Sequence, residues 1–190
     1  MTLEEAASRL QSQFQILNRT NFRGEVSLEL TPDQIEPACR FAKEYLGFDF
    51  LADLSSVDNF GDEPRFEVVY ELYSFSSNIH LRLKTRVSED HLEVPSVVHL
   101  WATANWHERE VYDMMGIRFA NHPDLRRILM WEGYPYYPLR KDFPLEGKPS
   151  EMPDVAFSQP APLEGGPFVT VPGKPHIKDR EPRARRVEEN

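Results

Sequence analysis

The chain contains a single cysteine, Cys39, among its 190 residues. One thiol cannot close an internal disulfide, and an iron–sulfur cluster typically needs four cysteine ligands. The sequence therefore predicts no disulfide framework and no cluster of its own, and a reducing compartment suits it best. Cys39 falls on the apolar side of a predicted helix, which favours a position in the core over a reactive thiolate.

Long apolar runs and an excess of basic residues are also missing. No stretch approaches the roughly 18–20 apolar residues that a membrane helix needs, and the acidic N-terminus resembles neither a secretory signal nor a transit peptide. The net charge is −9, from 31 acidic and 22 basic residues, whereas nucleic-acid binding usually requires a basic stripe. We therefore expect a soluble, unexported chain that binds no nucleic acid and reaches a membrane only through a partner.

Motifs for common enzyme chemistry are missing as well. No glycine-rich phosphate loop lies between a strand and a helix, and no Gly-x-Ser-x-Gly elbow occurs. His99, His107 and His122 raise the question of a metal, but none of them belongs to a His-Glu-x-x-His motif. The remaining candidate ligand set is His107 with Glu108 and Glu110, since zinc binds imidazole and carboxylate groups. The sequence otherwise predicts no cofactor and no metal in this chain.

Hydrophobic periodicity predicts an α+β domain over residues 1–132. Its order is α-β-α-β-β-β-α-α, which favours a mixed four-stranded sheet with helices packed on one face. Helices are predicted over 3–17, 32–46, 95–101 and 106–115, and strands over 24–30, 48–57, 65–73 and 79–87.

The last two predicted strands carry opposite charges on their outer faces. Glu67 and Glu71 alternate with apolar residues on one strand, and Arg82, Lys84 and Arg86 do so on the next. Opposite charges that face each other across strands stabilise an antiparallel pair. The sequence therefore predicts a hairpin that turns within residues 74–78.

The densest cluster of charge begins at Asn105 and has the features of a helix. Asn105 and Glu108 fit an N-cap with a capping box, and Gly116 fits the helix stop. Arg109 and Asp113 are four residues apart and can pair on one helix face. Since a cation in the first turn opposes the helix dipole, we expect Arg109 to be buried against a partner rather than used within its own helix.

Two explanations of this charge remain open. A solvated helix face with pairs of opposite charge is the common one. The neighbouring residues Trp101, Trp106, Met114, Met130 and Trp131 favour the other, a contact surface, because tryptophan, methionine and arginine are enriched at protein interfaces.

The same stretch resembles the signature of the C subunit, also called the 30-kDa subunit, of NADH:quinone oxidoreductase (respiratory complex I). The matching residues are Glu108-Arg109-Glu110, Asp113-Met114-Met115, His122, Arg126 and Ile128-Leu129. The run GYPYYPLRKDFPLEG from Gly133 to Gly147 is similar to the family's continuation. The resemblance is specific from about residue 106 to 147 and only compatible over residues 1–100.

The resemblance implies a structural component of the enzyme's hydrophilic arm, on the cytoplasmic side of the bacterial inner membrane. Such a component has no catalytic activity alone, and it supports electron transfer from NADH to quinone by holding other subunits together. The resemblance also implies that FMN and iron–sulfur clusters lie in other subunits, and that the chief partner is the large quinone-site (D) subunit, with neighbouring cluster-bearing subunits. The predicted interface residues are Glu108, Arg109, Glu110, Asp113, His122, Arg126, Arg127, Tyr134, Tyr136, Tyr137, Arg140, Asp142, Phe157 and Phe168.

Residues 133–190 are predicted to form an extended proline-rich arm. Nine of the 16 prolines lie in residues 144–190, a composition with too many missing amides and too few apolar residues to build its own core. Single apolar residues are nevertheless spaced along it. A strap that wraps a partner subunit and a free tail both fit this pattern.

Two other functions are compatible with these observations. Because the chain carries no electron-donor site, it could equally be the corresponding subunit of a related membrane-bound hydrogenase or ferredoxin-dependent dehydrogenase. A different class is a stand-alone metal-dependent enzyme that uses His107, Glu108 and Glu110.

Overall fold

A computed structural model describes residues 1–131 and 133–148. The helices and strands are α1 (Leu3–Gln13), β1 (Asn18–Phe22), β2 (Glu25–Leu30), α2 (Pro32–Leu46), β3 (Phe50–Asp58), β4 (Phe66–Ser74), β5 (Ile79–Val87), β6 (Glu93–Pro95), α3 (Ala104–Met115) and β7 (Arg118–Ala120). Within the described residues, every helix is too short or too polar to cross a lipid bilayer.

The main sheet is mixed and has the strand order β1-β2-β5-β4-β3. β2 runs parallel to β5, and the other neighbours are antiparallel. The predicted α+β class is confirmed, with five strands in this sheet instead of four. The sequence missed β1 because its residues are polar and mostly exposed, so they show no apolar alternation. It also missed the short parallel pair of β6 and β7.

The predicted hairpin of β4 and β5 is confirmed. Glu67 lies opposite Arg86, and Glu71 lies opposite Arg82. The Lys84 Nζ atom is 2.8 Å from a Glu67 carboxylate oxygen. The apolar positions of both strands face inward, so the charge pattern and the core pattern select the same register.

Helix α1 packs on β2 and β5, and helix α2 packs on β5 and β6. The capping box of α1 is present, since the Glu5 amide donates to Thr2 Oγ1 (3.2 Å) and the Thr2 amide donates to Glu5 Oε2 (2.9 Å). The predicted extension of α1 to residue 17 is wrong, because the chain becomes extended at Phe14. Leu17 is consequently exposed. On α2, Cys39 is buried in the core as predicted, and burial raises the pKa of its thiol.

The predicted helical piece over 95–101 is wrong. Pro95 pairs with Ala120 in the β6–β7 ladder, which takes the start of this segment into a strand. The amides of Leu100 and Trp101 then donate to the Val97 carbonyl at 2.9 and 3.1 Å, forming a turn. This turn leads into α3, which packs against β3.

The compact domain extends through Arg140, and Lys141–Asn190 form a separate unit. The predicted division between a domain over residues 1–132 and an arm over 133–190 stays a prediction. A wrapping role for the segment that follows stays a prediction, and most of that segment lies outside the described residues.

Candidate functional site

Three charged residues of α3 are buried inside the domain. The exposed fractions of Glu108, Arg109 and Asp113 are 0, 7 and 0 %. Burial of an isolated charge is costly unless it is paired or hydrogen-bonded. We therefore describe the contacts of these three side chains, which belong to the charged signature stretch, residues 108–129.

Asp113 holds a loop against the C-terminal turn of α3. Its Oδ2 atom accepts hydrogen bonds from the amides of Ile128 (3.0 Å), Leu129 (2.6 Å) and Met130 (2.9 Å). Its Oδ1 atom accepts a hydrogen bond of 2.7 Å from Arg127 Nη1. Burial alone would raise the pKa of Asp113, but these bonds outweigh it and hold the pKa below its ordinary value. Asp113 is therefore a buried, charged anchor for residues 127–130.

Two arginines from distant positions cover the C-terminal end of the same helix. Arg127 Nη1 donates to the Asp113 carbonyl (3.1 Å), and Arg140 Nε donates to the Met115 carbonyl (2.7 Å). The Tyr137 ring lies near both guanidinium groups, whose central carbons are 5.0 and 4.7 Å from its centroid. Cations at this end favour the helix dipole and satisfy carbonyls that have no partner within the helix.

Gly116 makes this close packing sterically feasible. Its φ of +82° is left-handed, as the sequence predicts for a helix stop. A Cβ atom at this position would lie 2.7 Å from the Tyr137 ring and 2.9 Å from Arg140 Nη2. Glycine is therefore required both by the backbone conformation and by the neighbouring side chains.

Arg109 does not pair with Asp113, so that prediction is wrong. Its Nε atom donates to the Arg126 carbonyl at 3.1 Å, and its guanidinium carbon lies 5.1 Å from the centroid of the Trp106 ring. The expectation that burial of Arg109 depends on a partner is also wrong, because its own chain buries it. Its place in a subunit interface stays a prediction.

Glu108 points inward, so the predicted capping box with Asn105 is wrong. The helix begins at Ala104, two residues before the predicted start at 106, and its N-cap residue Thr103 makes no side-chain cap bond. Glu108 Oε1 instead accepts a hydrogen bond of 2.7 Å from the Val97 amide. Burial raises the pKa of Glu108 to about 7, although hydrogen bonds from Ser96 and the Val97 amide act in the opposite direction.

His122 lies beside this carboxyl group. Its Nδ1 atom accepts a hydrogen bond of 2.9 Å from the Asp124 amide, so the proton of the neutral ring is on Nε2. Nε2 lies 3.3 Å from the Asn105 carbonyl and 3.9 Å from Glu108 Oε2. Desolvation lowers the pKa of His122. Both titratable groups are therefore favoured in their neutral forms, which suits a structural role.

The candidate metal ligands do not converge. His107 Nδ1 lies 3.3 Å from Asp53 Oδ1, Glu108 is turned into the core, and Glu110 is exposed. Within residues 1–131 and 133–148, no group of three His, Cys, Asp or Glu side chains is arranged to hold a metal ion. The geometry gives no support to the metal-dependent enzyme.

Outside these buried contacts lies an exposed surface that we call the α3 surface, formed by Trp106, Arg126, Leu129, Tyr134 and Tyr136. Trp106 and Leu129 are 64 and 61 % exposed. The Tyr134 ring is stacked edge-on against Tyr136, with centroids 5.6 Å apart. A cleft of about 430 Å³ opens on this side, lined by Tyr112, Leu125, Arg126, Arg127 and Gly133. The buried anchors thus hold a surface with exposed aromatic, apolar and cationic groups.

The remaining predicted interface residues fall in different places. Tyr137 and Arg140 pack against the C-terminal end of α3. Asp142 lies in the separate unit that begins at Lys141. Phe157 and Phe168 lie outside the described residues.

One residue of this assembly was missed by the sequence analysis. Glu89 accepts hydrogen bonds from Arg140 Nη1 (3.0 Å) and Arg65 Nη1 (2.9 Å). Arg65 in turn binds both carboxylate oxygens of Asp58 at 2.8 Å. Glu89 and Arg140 are far from Asp58 and Arg65 in the chain, so no local spacing could have revealed this network.

Comparison of the sequence with known proteins gives a consistent result. Residues 28–149 match the family described as "Respiratory-chain NADH dehydrogenase, 30 Kd subunit". The chain is 48% identical over 143 residues to the NADH-quinone oxidoreductase C 2 subunit of Rhizobium meliloti (strain 1021), covering 74% of this chain and 78% of that protein. It is 45% identical over 148 residues to the NADH-quinone oxidoreductase C subunit of Geotalea uraniireducens (strain Rf4), covering 77% and 90%.

Solved structures show a similar fold. The trypsin-resistant fragment (1-134) of Nqo5 superimposes with a TM-score of 0.58 at 32% identity, covering 66% of this chain and 100% of the fragment. A chain of the membrane-bound sulfane sulfur reductase, an archaeal respiratory membrane complex, superimposes with a TM-score of 0.64 at 25% identity, covering 74% and 85%.

Proposed function

Because the chain belongs to the respiratory-chain NADH dehydrogenase 30-kDa subunit family, we propose that it is a non-catalytic structural subunit of a proton-translocating NADH:quinone oxidoreductase. In this role it supports electron transfer from NADH to quinone by holding cofactor-bearing and quinone-site subunits together. The family resemblance stated from residues 108–129 is confirmed by these comparisons.

One observation carries the structural role. The buried charged residues Glu108, Arg109 and Asp113 bind backbone groups of their own chain and so hold α3 and its loops together. Asp113 alone accepts four hydrogen bonds from residues 127–130. Such anchors support a shaped docking surface, because a contact surface that is already ordered loses little conformational entropy on binding.

The partner on the α3 surface is, in this proposal, the large quinone-site (D) subunit. Exposed Trp106 and the Tyr134–Tyr136 pair supply the aromatic groups that dominate binding energy at interfaces. FMN and iron–sulfur clusters belong to other subunits, and the complex places this chain on the cytoplasmic side of the inner membrane. Residues 133–190 are, in this proposal, the arm that wraps a partner subunit.

A second candidate is supported by a specific observation. A similar chain occurs in the membrane-bound sulfane sulfur reductase, so this fold is used in more than one respiratory membrane complex. The corresponding subunit of a hydrogenase or ferredoxin-dependent dehydrogenase is therefore the alternative. Purification of the complex through this chain separates the candidates, because only the first complex contains an NADH-oxidising flavoprotein.

The proposed docking role is tested with Trp106→Ala and Leu129→Ala in a tagged chain purified from native membranes. We expect each change to lower incorporation into the complex at least about tenfold, the effect of losing an interface hot spot, while turnover per assembled complex stays near normal. Phe75→Ala is the matched control, since Phe75 is also 64 % exposed but lies at the β4–β5 turn. Full assembly of the Trp106 and Leu129 variants would contradict this docking surface, and full assembly with lost turnover would indicate a role in the chemistry.

A further inference from the structure

Strand β3 has an open edge beside α3. It is the outermost strand of the sheet, so its backbone bonds to β4 on one side only. A register shift between Leu51 and Asp53 interrupts the start of the strand, and Thr103 Oγ1 donates to the Leu51 carbonyl. Among the described residues, no backbone hydrogen bond joins residues 53–57 to a third segment. Unpaired backbone groups in a row are a template for another strand.

A cavity of about 210 Å³ lies along this edge. It is lined by Asp53, Leu54, Ser55 and Ser56 of β3, Glu110, Val111, Met114 and Met115 of α3, and Leu139. Consecutive strand residues have side chains on opposite faces of a sheet. Because neighbours of both orientations line the cavity, it approaches β3 from its edge rather than from a face. We call this space the β3–α3 groove.

The size of the groove argues against a small-molecule site. Such sites usually measure about 300–1,000 Å³, and this one is smaller. Its floor includes Met114 and Met115, whose flexible thioether side chains adapt to an incoming apolar group. The space is therefore suited to one or two side chains of a protein segment that lies along the strand.

The groove also carries acidic groups. The Asp53 side chain is half exposed and lies near His107, and Glu110 is exposed and makes no ion pair within the described part of the chain. Two carboxylates beside one apolar groove favour a basic group on the occupant, since opposite charges across an interface select the partner and fix its register.

We propose that the β3 edge binds an extended segment of another subunit by strand addition, with an apolar side chain over Met114 and Met115 and a lysine or arginine beside Asp53 and Glu110. The inference rests on the proposed function, because the partner is another subunit of the same complex. The β3 edge would be a second contact site, separate from the α3 surface, and its partner segment would carry an apolar and a basic side chain. Strand addition derives affinity from main-chain hydrogen bonds and specificity from alternate side-chain pockets.

Amide hydrogen exchange tests the backbone part of this proposal. Exchange is compared between the purified free chain and the intact complex. We expect the outward-facing amides within residues 53–57, every second one, to exchange at least about tenfold more slowly in the complex, because new hydrogen bonds protect them. Amides of central strand β4 over 68–72 serve as the control and stay equally protected in both. Equal exchange at 53–57 in the two states would overturn strand addition.

A charge reversal tests the partner chemistry. Asp53 lies outside the α3 surface. We expect Asp53→Lys to lower incorporation into the complex about tenfold and to leave the melting temperature of the free chain unchanged. Glu44→Lys is the matched control, an exposed acid on α2, and leaves incorporation unchanged. Normal incorporation of the Asp53→Lys variant would contradict the proposal that a basic side chain of the partner lies beside Asp53. Failure of the wild-type chain to purify with any complex would instead contradict the proposed function.

Discussion

At the scale of single residues, Asp113 is a charged side chain that is buried in α3 and stabilised by its hydrogen bonds. Its carboxylate accepts three backbone hydrogen bonds and one from Arg127, so the charge is satisfied without water. Arg127 reaches onward to the Tyr136 carbonyl at 3.2 Å. A single side chain thus fixes the path of two loop segments that present the α3 surface.

We predict that Asp113→Asn destabilises the free domain by about 3 kcal/mol, because an amide can accept fewer hydrogen bonds and leaves Arg127 without its counter-ion. For a chain of this size, the melting temperature should fall by roughly 6–12 °C. Thermal unfolding followed by circular dichroism measures the shift. Glu110→Gln on the exposed side is the control and should change stability by less than about 0.5 kcal/mol. A shift as small as that of the control would show that the loop is held by other contacts.

Glu108 and His122 make the stability of the domain depend on pH in opposite directions. The pKa of Glu108 in the folded chain is about 7, against an ordinary value of 4.5. Between pH 4.5 and pH 7, Glu108 is therefore protonated in the folded chain and ionised in the unfolded chain. The stabilisation associated with neutral Glu108 is complete below about pH 4.5 and is lost as pH rises through 7. The pKa of His122 is lowered, so its contribution is lost as pH falls below the ordinary pKa of 6.5.

We predict that Glu108→Gln is more stable than the wild type at pH 8 and that this advantage decreases towards pH 5. The expected difference between the two ends is roughly 3 kcal/mol, from about 1.4 kcal/mol per unit of pKa. Urea unfolding of both chains at several pH values measures it. The comparison removes the effect of His122, which is present in both chains. A difference that does not vary with pH would mean that Glu108 titrates normally in the folded state.

At the scale of elements, α3 is completed by residues that follow it in the chain. Its last carbonyls bind Arg127 and Arg140, and Gly116 lies beneath Tyr137. The helix end, the loop over 127–130 and the segment that leads to Arg140 therefore form one interdependent unit. A change at the helix stop should propagate to the loops that form the α3 surface.

We predict that Gly116→Ala costs about 1–2 kcal/mol for the left-handed backbone and about 1–3 kcal/mol more for displacing Tyr137. Gly24→Ala provides a matched control, because Gly24 also has a positive φ (+85°), but no atom of the described residues lies within 4 Å of an added Cβ. Chemical denaturation of both variants isolates the second contribution. Equal destabilisation of the two would show that Tyr137 moves aside without penalty.

At the scale of the whole molecule, the contacts described above that hold α3 and its loops join residues of the compact unit Met1–Arg140. The Asp58–Arg65–Glu89–Arg140 network ties the last residue of this domain to the ends of β3 and β4. The point at which the chain leaves the domain is therefore fixed, which suits an arm that continues onto a partner.

We predict that deletion of residues 149–190 leaves the melting temperature of the free chain within about 2 °C of the wild-type value, equivalent to less than roughly 1 kcal/mol. Incorporation into the complex should fall, because the deletion removes contacts that the proposed arm makes with a partner. Melting curves and purification from membranes measure the two effects. The wrapping role would be contradicted by unchanged incorporation, and a large loss of melting temperature would place the deleted residues in the domain's own fold.

The sequence by itself determined the features that depend on neighbouring residues. Periodicity predicted the α+β class, and alternating charge predicted the antiparallel pairing of β4 with β5. Gly116 was a predictable helix stop, because a left-handed backbone at the end of a helix favours glycine. The signature stretch identified the family because its residues lie together in the chain.

Only the tertiary structure decided how the charges are used. Helical spacing suggested Arg109 as the partner of Asp113, but a buried carboxylate takes the set of donors that the fold brings closest, and these come from residues 127–130. The Glu108 side chain points into the core, where it accepts a hydrogen bond from the Val97 amide. The open edge of β3 likewise depends on the strand order. Such contacts join residues far apart in the chain, and local spacing carries no information about which distant groups will meet.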